Sequence, residues 1–231
     1  MISLDTVLKK EKLSQIKPTG NPRAKPGDRF VLGKLNDKRS KILAVKSYPK
    51  NNTFLTELVY ENSAPFVRGD EDVTDPRAVS VMIQHTFIKM PEEDFTPRKA
   101  DYRMGYFTDR ITDLTSRSVV PYRDVINRWH LRKKDPMAKL SDPVQPIVWW
   151  IENTTPYEYR DLIKEAGLLW NKSFEKAGFT NAIEIRVQPD DAEWDAGDLR
   201  YNVLRWTSSP NPPFGGYGPS FTNPRTGQIV G

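Results

Sequence analysis

Residues 155–178 read TPYEYRDLIKEAGLLWNKSFEKAG, and this stretch decides how the second half of the chain is organised. Thr155 stands as an N-cap, Pro156 at the first helical position and Glu158 three residues past the cap. That is the pattern of a capping box. Tyr159, Leu162, Ile163, Ala166, Leu169, Trp170, Phe174 and Ala177 recur at helical spacing and predict one apolar face. Gly178 offers the left-handed residue that ends a helix. A face so rich in Leu, Trp and Phe is expected to lie on a sheet.

Strands are expected on both sides of that helix. Pro146–Glu152 (PIVWWIE) reads as a buried strand and Ile183–Val187 (IEIRV) as a second. Tyr201–Thr207 (YNVLRWT) reads as a third. Between them, Gln188–Leu199 carries Asp190, Asp191, Glu193, Asp195 and Asp198 without the regular spacing of a calcium loop, so a solvated acidic loop is expected. Ser208–Gly216 is a Pro/Gly loop. Tyr217–Thr222 and Gln228–Val230 then predict a hairpin around Asn223–Gly227. Strand, helix, strand, strand and hairpin make residues 141–231 read as half of an α/β domain. The chain stops at Gly231 in what reads as mid-strand, so a fragment of a longer domain is expected.

The first 140 residues read as a β-rich accessory or pro-like region. Ser3–Leu13 predicts a short helix capped by Ser3 or Asp5, and Pro18–Asp28 a loop. Arg29–Leu35, Lys41–Tyr48, Thr53–Tyr60 and Val79–Met90 predict strands. Turn signals at Asn36-Asp37 and Pro49–Asn52, and the loop Ser63–Pro76, separate them. Alternation puts Val79, Val81, Ile83, His85, Phe87 and Lys89 on one face. Residues 91–118 lack regular periodicity and read as a disordered linker or as an ordered strap. Phe95, Tyr102, Tyr106 and Phe107 favour the strap. Val119–Leu131 reads as strand or helix. The domain limit is placed at 140/141. The expected class is α+β.

Composition narrows the chemistry. The 231 residues include no cysteine, which excludes disulfides, thiolate metal sites and a cysteine nucleophile. His85 and His130 are the only histidines, too few and too far apart for a zinc site drawn from one helix. The net charge of +5 reads as a solvated surface with scattered Lys and Arg, and nucleic acid is not expected as a partner. Mean hydropathy is −0.64 and no apolar run has the length of a membrane span. Met1–Lys17 lacks the apolar core of a signal peptide.

Three spaced motifs resemble a known family. They are WN-x-x-F-x-x-AGF on the helix (Trp170, Asn171, Phe174, Ala177, Gly178, Phe179), D-x-RYN-x-x-W in the third strand (Asp198, Arg200, Tyr201, Asn202, Trp206) and YG-x-S-x-x-[DN]PRTG-x-I in the hairpin (Tyr217, Gly218, Ser220, Asn223, Pro224, Arg225, Thr226, Gly227, Ile229). Together with FTPRKADYRMGYF at 95–107 and RWHLRKKDP at 128–136, they resemble large bacterial zinc-dependent metalloproteases of metzincin type. The resemblance implies a mixed twisted sheet with a backing helix, one zinc ion, peptide substrates and a secreted or envelope location. It also implies a zinc-binding H-E-x-x-H-x-x-G-x-x-H helix, which is absent from this sequence, so the chain itself is expected to be inactive.

By position, the resemblance assigns Tyr217, Gly218, Pro219, Ser220 and Phe221 to an edge strand along which substrate lies. Pro219 removes one N–H from that strand. Asp101, on the strap, is a further candidate as a zinc ligand in a pro-segment. The competing reading is a non-catalytic module whose β-rich region binds a protein or glycan.

Overall fold

The computed structural model describes residues 3–13, 16, 32–65, 73, 75–92, 95–208 and 215–231. The loop expected at Pro18–Asp28, the first residues of the strand expected from Arg29, and most of the loops at 66–74 and 209–214 lie outside these residues. The chain divides into two compact units, Met1–Ile88 and Lys89–Gly231. The limit placed at 140/141 therefore lies inside the second unit. Strands outnumber helices, and the class is α+β.

The first unit is an antiparallel sheet. Its strands are β1 (Lys34–Leu35), β2 (Lys41–Ser47), β3 (Asn51–Glu61) and β4 (Ala78–Ile88). β3 is central: β1 and β2 pair along it and β4 pairs with it from Asn51↔Ile88 to Glu61↔Ala78. The turn expected at 49–52 closes between β2 and β3, with the Tyr48 N–H donating to Asn51 O at 2.8 Å. The predicted alternation of β4 holds as far as His85: Val79, Val81, Ile83 and His85 are half-buried while Ala78, Ser80, Met82 and Gln84 are exposed, but beyond it Thr86 and Ile88 are half-buried and Phe87 and Lys89, expected on the sheltered face, are exposed. Period-two alternation with one sheltered face is what a strand packed on one side produces. The short helix α1 (Leu4–Leu8) contributes a fully buried Leu8. Tyr60, buried on β3, donates to Glu11 Oε1 at 2.7 Å. Burial and the neighbouring carboxylate push the Tyr60 phenol above its ordinary pKa.

The second unit begins with the strap. Phe95 is buried, and the chain from Arg98 runs along one side of β6 (Tyr122–Ile126): the Ile126 N–H donates to Arg98 O and the Ala100 N–H to Asp124 O. β5 (Thr108–Thr112) pairs antiparallel with the other side of β6. The ambiguous stretch 119–131 is thus resolved as strand. β5 differs from the expectation of an irregular strap, because five residues with four polar side chains carry no apolar alternation.

The expected α/β element follows. β7 (Ile147–Ile151) is flanked by β8 (Ile183–Val187) and β9 (Asn202–Leu204), both parallel to it, in the order β8-β7-β9. All three strands are parallel, where a mixed sheet was expected. The antiparallel hairpin lies elsewhere: its Gln228 pairs with Arg128 beyond β6. Ile147, Ile151 and Ile185 are buried between the sheet and its helical crossover.

That crossover differs from the expected helix in three ways. It is split into α2 (Tyr157–Leu168) and α3 (Asn171–Lys176). The backbone stays right-handed at the junction, but the Trp170 N–H reaches only to Gly167 O and the Lys172 N–H to Leu169 O, so the turn tightens. Second, the capping box does not form. Pro156 is the cap, Thr155 is buried, and Arg160 ties the helix start by donating to Thr155 O at 2.8 Å and Asn153 O at 2.6 Å.

Third, the expected apolar face coincides with the contact line only at Ile163 and Phe174. Neither α2 nor α3 contains a buried residue, and Leu162, Leu169 and Trp170 are 64%, 53% and 63% exposed. The half-buried line runs through Arg160, Ile163, Gly167, Asn171 and Phe174. Gly167 sets it, since a Cβ there would stand 2.7 Å from Ile185 Cδ1. The closest approach to the sheet is made by the residue with the least side chain.

Gly178 ends α3 as expected, with φ at +93°. The Phe179 N–H donates to Phe174 O and the Gly178 N–H to Glu175 O, the paired bonds of a Schellman ending. A Cβ at Gly178 would also stand 2.9 Å from Lys133 Nζ, which donates to Ala138 O and Lys139 O. Gly178→Ala is therefore expected to cost about 1–2 kcal/mol, from the left-handed backbone together with the displaced lysine. Calorimetric unfolding of the variant beside an exposed control such as Lys176→Ala checks this.

Candidate functional site

Residues of the helix motif and the third-strand motif tie the parallel sheet together, while the hairpin motif lies outside that sheet. Asn171, at the start of α3, donates from Nδ2 to Ile183 O at 3.0 Å and accepts from the Ile183 N–H at Oδ1, 2.9 Å away. Its side chain thus completes the backbone hydrogen bonding at the first residue of β8. Asn202 on β9 donates to Val148 O at 2.8 Å, across to β7. Tyr201 stacks on Trp194 with ring centroids 3.8 Å apart, and Trp150 meets both rings edge-on. Asn223 is buried, accepts from the Arg225 N–H, and receives Gly227 N–H at its carbonyl, which shapes the hairpin turn.

Asp198 is 1% exposed and takes two contacts from Arg200, at 2.6 Å from one terminal nitrogen and 3.0 Å from Nε, besides the Arg200 N–H. Burial alone would raise its pKa, but the Arg200 guanidinium and N–H outweigh burial and hold the carboxyl below the usual aspartate value. The acidic loop is thus divided: Asp198 is a buried structural anion, while Asp190, Asp191, Glu193 and Asp195 are exposed.

The carboxyl ends of the three parallel strands carry a polar row that the motifs did not mark. In open α/β sheets this is the end where ligands bind. Glu152, just past β7, receives Arg205 Nε at 3.1 Å and the Thr154 hydroxyl at 2.9 Å. Gln188, just past β8, is buried and bridges the Asn153 N–H and Trp194 O. Of these, only Gln188 follows directly on a strand expected from the sequence; Glu152 and Arg205 fall inside the strands expected at 146–152 and 201–207, and emerge as strand-end residues because β7 stops at Ile151 and β9 at Leu204.

The residues singled out from the sequence are dispersed. Tyr217–Ser220 is exposed and carries no strand; the ladder starts at Phe221, whose N–H donates to Gly231 O and whose carbonyl receives the Val230 N–H. His85 lies on β4 opposite Phe54 in the first unit. His130 lies in the second unit, edge-on to Phe95 at 5.4 Å. Asp101 is bound by Arg103 at 2.5 and 2.9 Å, and those hydrogen bonds lower its pKa. Among the described residues no group of three or more His, Cys, Asp or Glu is placed to hold a metal ion. No helix of the described residues is long and apolar enough to cross a membrane.

Comparison with known proteins bears on the first 134 residues. No curated protein and no solved structure matches the chain. Residues 12–134, from the end of the N-terminal helical segment through all of β1–β6, match a family described as a domain of unknown function, DUF5117. That stretch is more than half of the 231 residues, and the chain belongs to the DUF5117 family.

Proposed function

We propose that this chain is part of a zinc-dependent peptide hydrolase of metzincin type. Residues 1–140 would serve as an accessory or pro-like region and residues 141–231 as the leading α/β part of the catalytic domain. The observation that supports this reading is the parallel sheet β8-β7-β9 with its α2–α3 crossover, tied together by residues of two of the resembling motifs. Asn171, Gly178, Asp198, Arg200 and Asn202 each have a specific structural task there. Motif residues that hold a scaffold together are what a shared fold requires of them.

The described residues do not fit a zinc centre. They bring no three suitable side chains together, and Asp101 is engaged by Arg103. No step through zinc is assigned to this chain. What its residues contribute in this reading is substrate placement. Tyr217–Phe221 would offer backbone N–H and carbonyl groups to an extended peptide, interrupted at Pro219, which has no N–H. A secreted or envelope location belongs to the same proposal.

The test is hydrolysis of quenched fluorescent peptides by the whole natural protein. The reading expects cleavage that falls at least about a hundredfold with a zinc chelator and returns when zinc is restored. Absence of cleavage, or cleavage indifferent to the chelator, overturns it.

A further inference from the structure

We infer that β4 is an edge through which two copies of this chain associate, each β4 pairing antiparallel with the other about a two-fold axis at Ile83. The inference is independent of any peptidase activity and concerns the first unit by itself. β4 runs for eleven residues, AVSVMIQHTFI, and pairs with β3 at every one of them without a shift of register. Among the described residues no strand pairs with its outer edge. The phase of the ladder decides which groups face outward. The Asn62 N–H donates to Arg77 O, and the Tyr48 N–H to Asn51 O. Bonding direction alternates along an antiparallel strand, so either bond sets Val79, Val81, Ile83, His85 and Phe87 as the residues that bond to β3. The N–H and carbonyl groups of Ala78, Ser80, Met82, Gln84, Thr86 and Ile88 therefore point away from it.

Sheet edges of this length are ordinarily guarded by charge, proline or a bulge. The opposite side of the same sheet is guarded in this way: β2 breaks register between Ile42 and Ala44 and carries Lys41 and Lys46. β4 has no bulge, no proline and no Asp, Glu, Lys or Arg, and its Met82 is 69% exposed. A straight row of alternating donors and acceptors is satisfied along its whole length only by another extended chain. The backbone thus sets the kind of partner.

The sequence of the strand selects a second copy of itself. With the axis at Ile83, each outward residue meets an outward residue: Met82 faces Gln84, Ser80 faces Thr86 and Ala78 faces Ile88 of the other copy. Every outward N–H and carbonyl then has a partner. On the sheltered face Ile83 meets itself, Val81 meets His85 and Val79 meets Phe87, so the apolar stripe runs on across the axis. A slip of one residue sets outward groups against inward ones and loses the ladder. At the two ends Arg77 comes opposite Lys89, but Arg77 is held by Asp75 and Lys89 by Glu92, so neither end presents bare like charges. The contact is isologous and, with the β2 side guarded, it closes at two copies.

Sedimentation of the 231-residue chain over a range of concentrations tests this. A one-strand contact is small, so a monomer–dimer equilibrium with a dissociation constant of about 1–100 μM is expected. Met82→Lys with Gln84→Lys sets lysine against lysine on both sides of the axis and should weaken the dimer at least about tenfold. Both sites are exposed, and Glu57 stands opposite Met82 on β3, so thermal unfolding of the dilute double variant should match the native chain. Val45→Lys, on β2, should leave association unchanged. Register is read by cross-linking, because the chain has no cysteine. Ile83→Cys brings two thiols together at a non-hydrogen-bonded pair, with Cα atoms about 4.5 Å apart, and should form a disulfide dimer on mild oxidation. Val79→Cys, whose thiols lie at opposite ends of the pairing, should not. A chain that stays monomeric at about 300 μM overturns the inference. So do open-ended assembly, undiminished dimerisation of the double lysine variant, and Val79→Cys cross-linking as readily as Ile83→Cys.

Discussion

Replacing Asn171 with alanine is expected to destabilise the second unit by about 2–3 kcal/mol, with a fall of about 5–10 °C in its unfolding temperature. The argument is local. Both polar atoms of the side chain bond to the backbone of Ile183, one as donor and one as acceptor. Alanine removes both and leaves a strand N–H and a strand carbonyl without partners at a half-buried position. Such groups cost more when orphaned than the bonds contribute when made. The effect has an order that tests its cause. Asn171→Asp keeps the acceptor and loses the donor, so it falls between wild type and alanine. Lys172→Ala, exposed on the same helix, stays within about 0.5 kcal/mol. Hydrogen exchange gives the sharpest readout, because the Ile183 amide should lose its protection in Asn171→Ala while that of Ile185 changes less.

Removal of the Asp198 carboxylate is the second large effect. Asp198→Ala is expected to cost about 2 kcal/mol at neutral pH, mainly from the contacts to Arg200 and its N–H. Arg200 keeps 42% of its side chain exposed, so water takes over much of its charge and the loss stays below that of a fully buried pair. The pH dependence has a definite sign. The folded Asp198 carboxyl lies below its unfolded value, so its contribution is present above the ordinary aspartate pKa and is lost as pH falls through the folded one. The stability gap between wild type and Asp198→Ala should therefore narrow on acidification. Denaturant unfolding at neutral pH and at successively lower pH measures the gap; a gap constant with pH would contradict this assignment.

Much of the scaffold was legible before the structure. Strands β2, β3, β4, β7 and β8 fall where apolar, β-branched runs predicted them, and Gly178 ends its helix with the left-handed backbone expected of it. These features are local: alternation and a positive φ are properties of a few neighbouring residues. What was not legible depends on partners distant in sequence. β5 exists because β6 borders it, and Thr108–Thr112 has little strand character of its own. The contact line of α2 could not be read from apolar periodicity, because Gly167 decides it by letting Ile185 approach. Leu162, Leu169 and Trp170 follow the period and remain exposed. Thr155 has the residue type of a cap, yet Arg160 supplies the tie from within the helix.

The candidate site was less legible than the scaffold. The motif residues were recognisable by type and spacing, but their work is structural where the geometry is clear. Tyr217–Ser220 carries no strand, and its assignment to substrate remains part of the proposed function. The polar row of Glu152, Gln188 and Arg205 arises only when three strands, dispersed over more than fifty residues of sequence, end side by side.

Zinc stoichiometry tests the central claim most directly. That claim is a scaffold belonging to a zinc peptidase whose metal ligands are not residues of this chain. Elemental analysis after dialysis against trace zinc would be made on the 231-residue chain and on the whole natural protein. The account predicts no tightly held zinc in the first and one zinc per molecule in the second. Equimolar zinc retained by the 231-residue chain, or none retained by the whole protein, would contradict it.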